Sequence, residues 1–420
     1  MSLVAKFITE IVNFLALSPA GPNKNAQKLI RFYETAGFDF SFPISLKIWS
    51  RHLENRVPEL KEDDSDNILV FTLGGSVENC LQKLKQESKS WTFSIETVEV
   101  KDQRCNITIQ RSSAYTTLLL AINDSYGKIK KSDDETLSLQ IDDASNPSIT
   151  QFRVDLVGRT VKKLIDYSKY TLVTDPTSAK HKILATSKSN LPRDHLHNDW
   201  KLLTCGAVVN PKDKKTSDVT KDDYIKQRCE DMHLMSIHKY GIRVKDDETF
   251  KSFVERLGKY AAVLDLLEVK QSSAISLTSD IKQAFVLYNS ARMETLMEKF
   301  ECKVKEGYYD KLPGVEAVDT SLLKEEEEWQ LLKLLLVFPE VINRSISELQ
   351  QGKVSLHLIH KFLSALVNTF SIYYRRVRLL TENRPQLMPV LHSKIHFLRA
   401  VQKILNETLA ILGIEPIAFM

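Results

Sequence analysis

The sequence contains little cysteine and almost no excess of charge of either sign. Five cysteines occur in 420 residues and none forms a Cys-x-x-Cys pair, which predicts free thiols in a reducing compartment and excludes a disulfide-stabilised scaffold. The 58 basic and 54 acidic side chains leave a formal net charge of +4, so recognition of a polyanion has to come from local basic patches. The length is sufficient for two or three domains with sizeable cores.

Long apolar runs are also missing. The most apolar stretch, 331–338, is short and contains Lys333, so no membrane-spanning segment is predicted. Residues 3–20 carry Glu10 and Asn13 inside an apolar stretch, a pattern that favours an amphipathic helix over a signal peptide. We therefore expect a cytosolic protein.

The sequence shows no clear catalytic or metal-binding motif. No Ser-His-Asp or paired-carboxylate pattern stands out, and the scattered cysteines and histidines lack paired-ligand spacing, so no metal is expected. The two glycines before Ser76 lack the spacing of a phosphate-binding loop, which favours a tight turn. The weak metal candidates are Cys205, Cys229, His233 and His238, whereas His195 and His197 are more simply exposed loop histidines.

Residues 1–130 predict an N-terminal α/β module. We expect a buried strand at 67–72, a helix after the glycine pair, half-buried strands at 91–100 and 106–110, and a helix at 112–122. The charged, polar stretch 128–147 is expected to separate this module from a second one at 131–255. There we expect a helix near 156–165, strands at 170–173, 182–185 and 202–209, an exposed loop at 210–223, and helices from Tyr224 onward.

The C-terminal part, 275–420, predicts an all-α bundle. Apolar residues recur every three or four positions over 357–380 and 391–412, which predicts two amphipathic helices. The acidic run 325–328 fits the solvated first turns of another helix. The expected core residues are Phe285, Trp329, Leu335, Phe338, Leu363, Phe370, Leu398 and Leu409.

Basic and aromatic side chains flank the last two helices. A basic helical pair with aromatics at its edge suits a phosphate-rich partner. Tyr373 falls on the apolar stripe and is expected in the core, whereas Tyr374 lies off it and is free to stack on a base. The arginines after Tyr374 either contact phosphate or form a solvated face, and we favour phosphate contact. The basic residues are Arg375, Arg376, Arg378, Arg384, Lys394, Arg399 and Lys403, against a lone Glu382.

Four motifs in this part resemble those of a known family. Residues 284–292 read Ala-Phe-Val-Leu-Tyr-Asn-Ser-Ala-Arg, 337–342 Val-Phe-Pro-Glu-Val-Ile, 395–399 Ile-His-Phe-Leu-Arg, and the end is Leu412-Gly413-Ile414 followed by a short tail and Met420. These resemble the DALR anticodon-binding domain that closes arginyl-tRNA synthetases. Tyr288 and Arg292 lie one helical turn apart and can share a face, and the resemblance implies that Arg292 contacts the anticodon stem. Alternatively, Arg292 is a buried arginine paired with Glu328 or Glu340.

The catalytic signatures of arginyl-tRNA synthetases are missing. Ser145-Asn146-Pro147 resembles their Ser-Pro-Asn, but 148–153 holds neither histidine nor glycine of the His-x-Gly-His signature. The loop at Lys212 to Lys215 occupies the place of Lys-Met-Ser-Lys without its Met-Ser core. The resemblance therefore implies a degenerate Rossmann-like synthetase remnant at 131–255 that is not an enzyme, within a chain that is α+β overall.

Glu306-Gly307-Tyr308 and Glu328-Trp329 also resemble a non-catalytic animal branch of this family. This resemblance implies an adaptor without cofactors that recognises arginine tRNAs and presents them to a methyltransferase making 3-methylcytidine in the anticodon loop. The alternatives are a divergent arginine-tRNA ligase and a helical scaffold that does not bind RNA. The predicted tRNA-binding residues are Tyr288, Arg292, Tyr374, Arg375, Arg376, Arg378, Lys394, Arg399 and Lys403.

Overall fold

A computed structural model describes residues 2–16, 24–34, 37–52, 66–142, 147–188, 199–240, 248–277 and 283–417. Its α-helices are α1 (Leu3–Ala16), α2 (Lys24–Gln27), α3 (Leu46–Trp49), α4 (Ile68–Leu73), α5 (Val77–Glu87), α6 (Arg111–Ala121), α7 (Ile149–Ile165), α8 (Lys221–Tyr240), α9 (Glu248–Leu267), α10 (Ala284–Lys305), α11 (Glu326–Ile346), α12 (Leu356–Arg376) and α13 (Met388–Ile411). The strands are β1 (Arg31–Phe32), β2 (Phe40–Pro43), β3 (Ile95–Lys101), β4 (Arg104–Ile109), β5 (Thr136–Ile141), β6 (Thr171–Leu172), β7 (His181–Thr186), β8 (Trp200–Thr204), β9 (Val208–Val209) and β10 (Ile275–Ser276).

One compact unit comprises Met1–Asp124, Leu312–Val337 and Leu379–Phe397. Its antiparallel sheet has the order β1-β2-β4-β3, in agreement with the strands predicted at 91–100 and 106–110. Helix α1 contributes Phe7, whose ring centroid lies 4.8 Å from that of Phe40 in the sheet. The apolar stretch at the start of the chain is therefore an amphipathic helix, as its pattern predicts.

The strand predicted at 67–72 is wrong, because these residues form α4. The Asn67 side chain accepts a hydrogen bond from the Leu69 backbone N–H and so caps the helix. An apolar run of six residues does not distinguish a buried strand from a short buried helix by periodicity alone. Gly74 and Gly75 both have positive φ angles of 67° and 86°, and Ser76 caps α5, so the glycine pair forms the expected turn.

A buried ion pair joins α11 to the antiparallel sheet. Lys333 Nζ lies 2.8 Å from Asp39 Oδ1, and both side chains are almost fully buried. The other carboxylate oxygen of Asp39 accepts from the Ile109 backbone N–H at 2.9 Å. The lysine that interrupts the most apolar run of the sequence is therefore part of the core.

The other compact unit comprises Ser125–Lys311, Phe338–Arg378 and Leu398–Met420. It contains a parallel sheet of order β6-β5-β7-β8, as expected of a Rossmann-like remnant. Helix α7 packs on this sheet at Gly158, where an added Cβ would lie 2.6 Å from Ile141. Only a residue without a side chain fits this close approach.

Two details of this sheet differ from the prediction. Strand β5 pairs with both β6 and β7, yet it lies inside 128–147, which we predicted to be a polar break. Its six residues sit directly after a charged turn, which masks their apolar pattern. The predicted strand 202–209 is two strands, because β8 ends at Thr204 and β9 pairs with β10 instead of continuing along β7.

The C-terminal helices begin and end close to the predicted positions. Helix α12 ends at Arg376 rather than near residue 380, because Val377 adopts an extended backbone. Helix α11 begins at the acidic run, but Glu327 and Glu328 are buried rather than solvated, and Glu328 Oε2 accepts from the Glu325 N–H. Of the predicted core residues, Trp329, Leu335, Phe338, Leu363, Phe370, Leu398 and Leu409 are buried.

Phe285 was predicted in the core and is 43% exposed. It lies in the first turn of α10, where its neighbours Ala284 and Val286 take the buried positions. Strand β10 precedes this helix, so 275–420 is not helical throughout. In the described part of the chain no helix has the length and apolar character needed to cross a membrane.

Candidate nucleic-acid interface

Three of the predicted site residues meet between α10 and α12. The Arg292 guanidinium carbon lies 4.4 Å from the ring centroid of Tyr288 and 4.6 Å from that of Tyr374, well inside the range of cation–π attraction. Arg292 Nη2 also donates to Tyr288 Oη at 2.7 Å. We call these three residues the tyrosine–arginine cluster.

A polar neighbour orients this cluster. Arg292 Nη1 donates to Asn289 Oδ1 at 3.2 Å, and Asn289 Nδ2 donates to the Phe285 carbonyl at 2.8 Å. Arg292 is half-buried, and over the residues the structure describes it forms no ion pair with Glu340, one of the two partners of the alternative interpretation. In the described part of the chain the guanidinium is held by neutral groups, namely the rings of Tyr288 and Tyr374 and the amide of Asn289.

The two adjacent tyrosines of α12 have different environments. Tyr373 is fully buried, whereas Tyr374 is 36% exposed, as the position of each residue relative to the apolar stripe predicts. The Tyr374 ring packs edge-on against Phe370 with centroids 5.9 Å apart. This packing and the stacked guanidinium fix the ring while part of it remains accessible to a ligand.

Three arginines follow the cluster at the basic end of α12, which we define as Arg375, Arg376 and Arg378. All three are exposed. Arg375 Nε donates to the Ser371 carbonyl at 3.3 Å, and cations at a helix C-terminus are favoured by the helix dipole. The structure therefore places a patch of positive charge next to Tyr374 in the same compact unit.

The remaining predicted cations have different surroundings. Arg399 is hydrogen-bonded to Glu301, and Lys403 Nζ lies 3.6 Å from Glu407 Oε1. Both positive charges are therefore at least partly compensated by carboxylates of the protein. Lys394 is half-buried and belongs to the other compact unit. The structure brings Tyr288, Arg292 and Tyr374 into contact but does not add these three residues to that cluster.

The region of the missing synthetase signature is filled by a buried arginine. Ser148 caps α7 by accepting from the Gln151 N–H. Arg153 is fully buried and donates to four backbone carbonyls, those of Gly206, Leu266, Lys270 and Ser273, at 2.7–3.2 Å. Burial lowers the pKa of Arg153, but the carbonyls replace the water that its charge has lost. Ser145 and Asn146 lie outside the described residues.

The second signature region is a simple turn, and the weak metal candidates do not come together in the described residues. The 212–215 segment is a turn in which Lys214 has a φ of 57° and donates to Ser276 at 3.2 Å. Cys205 is buried, and burial raises its pKa to about 12. No group of three potential metal ligands occurs in the described ranges; the side chains of His195, His197 and His238 lie outside them.

Comparisons with known proteins fit this geometry. Residues 286–420 match the family model of the DALR anticodon binding domain. The match begins in α10, the helix of Tyr288 and Arg292. Arginyl-tRNA synthetase of Thermus thermophilus superimposes with a TM-score of 0.61 at 8% identity, covering 100% of this chain and 99% of that one. The synthetase of Plasmodium falciparum gives 0.61 at 10% identity over 99% of both chains. The chain therefore carries a DALR anticodon binding domain within an arginyl-tRNA synthetase-like fold.

Among curated proteins, the chain is similar to DALR anticodon-binding domain-containing protein 3. The Danio rerio protein is 30% identical over 234 residues, covering 52% of this chain and 41% of that protein. The Mus musculus protein is 30% identical over 239 residues, covering 54% and 44%. The matches thus span less than half the length of these relatives. Arginine–tRNA ligase of Streptococcus thermophilus is 29% identical over 131 residues, or 31% of this chain.

Proposed function

We propose that this protein is a tRNA-binding relative of arginyl-tRNA synthetases that holds the anticodon arm with its C-terminal helices. The observation that carries this proposal is the position of Arg292 between the rings of Tyr288 and Tyr374. The match to an anticodon binding domain over 286–420 supports the choice of RNA.

The anticodon loop is a single-stranded segment with bases that leave the helical stack, and such bases are recognised by aromatic side chains and arginine planes. In our proposal Tyr374 stacks on a loop base, Arg292 adds its charge, and the basic end of α12 contacts the adjoining phosphates. Each of these contacts suits a polyanion with exposed bases better than it suits an apolar protein surface.

We further propose that the chain does not aminoacylate tRNA. Adenylate formation requires donors that are preorganised where charge develops, each contributing about 10²–10³ in rate. Residues 148–153 contain no histidine, and the side chain of Arg153 is used entirely to bind four backbone carbonyls. A ligase remains the second candidate because the synthetase-like fold extends over the whole chain.

In the finer proposal the protein is an adaptor. It would recognise arginine tRNAs in the cytosol and support their 3-methylcytidine modification by a partner methyltransferase. This role rests on the resemblance to the non-catalytic animal branch, and the five cysteines without a paired motif support a reducing compartment.

The experiment is crosslinking in cells followed by sequencing of the bound RNA. Cells would express the wild-type chain, Tyr374→Ala, or Tyr33→Ala, a tyrosine of the other compact unit, as the matched control. We expect arginine tRNAs to be enriched with crosslinks in the anticodon arm, and we expect Tyr374→Ala alone to reduce them. Enrichment of no tRNA would favour the scaffold alternative, and arginine-dependent pyrophosphate exchange by the purified chain would favour the ligase.

A further inference from the structure

One face of helix α10 carries aromatic and basic residues in addition to Tyr288 and Arg292 of the tyrosine–arginine cluster. Phe285, Tyr288, Arg292, Lys299 and Lys303 follow at spacings of three, four or seven residues, so their side chains fall within a narrow arc. Phe285 and Lys299 are exposed and the other three are half-buried. We call this set the α10 stripe.

Two of the three glutamates of α10 bind side chains of α13. Glu294 accepts from Gln402 and Asn406 of α13 at 2.8 Å, and Glu301 binds Arg399. These glutamates lie on the side of α10 opposite the stripe. One side of the helix therefore attaches to α13, while the stripe presents aromatic and positively charged groups to solvent. Burial in a core does not explain the stripe.

The stripe ends beside a second exposed tyrosine. Tyr308 is 41% exposed, and Lys303 Nζ lies 4.6 Å from its ring centroid. Tyr308 packs against Tyr309 with centroids 5.0 Å apart, and Tyr309 stacks on Phe300 at 5.7 Å with an interplanar angle of 25°. The Tyr308 ring thus packs against another aromatic ring and has a cation beside it, as the Tyr374 ring does with Phe370 and Arg292.

The backbone holds Tyr308 in this position. Gly307 has a φ of 74°, a conformation that favours glycine. It lets the chain turn back so that the Tyr308 N–H donates to the Lys303 carbonyl at 2.9 Å. Because the ring is already ordered, a ligand that stacks on it loses little conformational entropy in the protein.

Charged residues of both signs lie near Tyr308 in the sequence, and the ammonium group of Lys303 lies over its ring. Burial raises the pKa of Tyr309, the neighbouring Tyr308 raises it further, and Arg378 lowers it, so the positive charge of Arg378 acts on Tyr309. The acidic neighbours in the sequence are Glu306 and Asp310, and the basic ones besides Lys303 are Lys305 and Lys311.

We propose that Tyr308 is a second base-stacking position, and that the α10 stripe carries the single-stranded RNA segment between it and the tyrosine–arginine cluster. Arg292 and Lys303 lie about 16 Å apart along the helix axis, at about 1.5 Å per residue. A strand that keeps the stacked rise of roughly 3.4 Å per nucleotide would cover that length with about five nucleotides. Lys299 and Lys303 contact the phosphates between the two stacked bases. This inference rests on the proposed function.

The test is a binding titration of the full chain with the anticodon-arm hairpin of an arginine tRNA, in which the fluorescence anisotropy of a labelled hairpin reports the affinity. Tyr308→Ala should weaken binding about 5- to 150-fold, the equivalent of roughly 1–3 kcal/mol for one stacked base. Tyr308→Phe keeps the ring and should bind like the wild type. Lys303→Gln should lower the slope of log affinity against log salt by about 0.7. Lys305→Gln, on another face, should leave it unchanged.

Oligouridylates of increasing length give an independent readout. Wild-type affinity should rise until the strand exceeds about five nucleotides, the length that spans the stripe, and Tyr308→Ala should abolish this rise. If Tyr308→Ala binds the hairpin like the wild type while Tyr374→Ala does not, the inference is overturned and the proposed function stands. If the wild-type chain itself does not bind the hairpin, the proposed function fails and the inference fails with it.

Discussion

Removal of the buried lysine of α11 should destabilise the unit that contains the antiparallel sheet. Lys333 and Asp39 are buried, 2.8 Å apart, and Asp39 also accepts from the Ile109 N–H. Lys333→Ala leaves a buried carboxylate without its countercharge, and breaking such a pair costs about 3–5 kcal/mol. Lys324→Ala removes an exposed lysine just before the same helix and should change stability by less than about 0.5 kcal/mol.

A double-mutant cycle isolates the interaction between the two charges. Asp39→Asn keeps an acceptor for the Ile109 N–H, and Lys333→Met keeps an unbranched apolar stem. We expect each single substitution to be costly and the double variant to recover about 1–3 kcal/mol relative to their sum, because it leaves no unpaired buried charge. Urea unfolding followed by circular dichroism measures these free energies. Additive effects, or a cost below about 1 kcal/mol for Lys333→Ala, would refute the reasoning.

Four further outcomes can be checked. Leu363→Ala should lower the free energy of unfolding by about 2–5 kcal/mol in a urea titration, whereas the exposed Phe285→Ala should change it by less than about 0.5 kcal/mol; equal costs would contradict the described packing. Burial lowers the pKa of His360, so its imidazole binds a proton more readily in the unfolded chain; a pH change from 7.5 to 5.5 should therefore lower the melting temperature of the wild type relative to that of His360→Gln, and an equal response of both proteins would contradict this. Charge reversal of the basic end of α12 should reduce the salt slope of tRNA binding by about two to three, at about 0.7–0.9 for each phosphate contact; an unchanged slope would favour a merely solvated face. The purified chain should give no arginine-dependent pyrophosphate exchange, and exchange that disappears on mutation within 148–153 would overturn the non-catalytic proposal.

The sequence was a good guide where periodicity is long and capping is clear. The spacing over 357–380 and 391–412 predicts α12 and α13 to within four residues at each end, because each helix has a continuous apolar stripe. Hydrophobic spacing is a poor predictor of short elements, because the residues that flank them decide whether a helix or a strand forms. The 67–72 run became a helix because Asn67 caps it, and β5 was hidden by the charged turn that precedes it.

The candidate site was foreseen residue by residue but not as a cluster. Tyr288 and Arg292 were predicted from the resemblance of 284–292 to the synthetase motif, their spacing places them on one helix face, and Tyr374 follows from its position off the apolar stripe. That the two tyrosines enclose one guanidinium depends on how α10 packs on α12, which no local pattern encodes. Tyr308 was noted only within a motif, because its contact with Lys303 depends on the turn at Gly307 after the end of α10. The burial of Arg153 has no sequence signal, since arginine is seldom fully buried.

The central claim is that the tyrosine–arginine cluster binds the anticodon arm of tRNA. The most direct measurement is the affinity of the purified chain for the anticodon-arm hairpin of an arginine tRNA, with Arg292→Gln/Tyr374→Ala compared with Arg344→Gln, an exposed arginine of α11. We predict that the double variant binds at least about tenfold more weakly, because stacking on one aromatic ring contributes about 1–3 kcal/mol, and that Arg344→Gln binds like the wild type. An unchanged affinity of the correctly folded double variant would contradict the account.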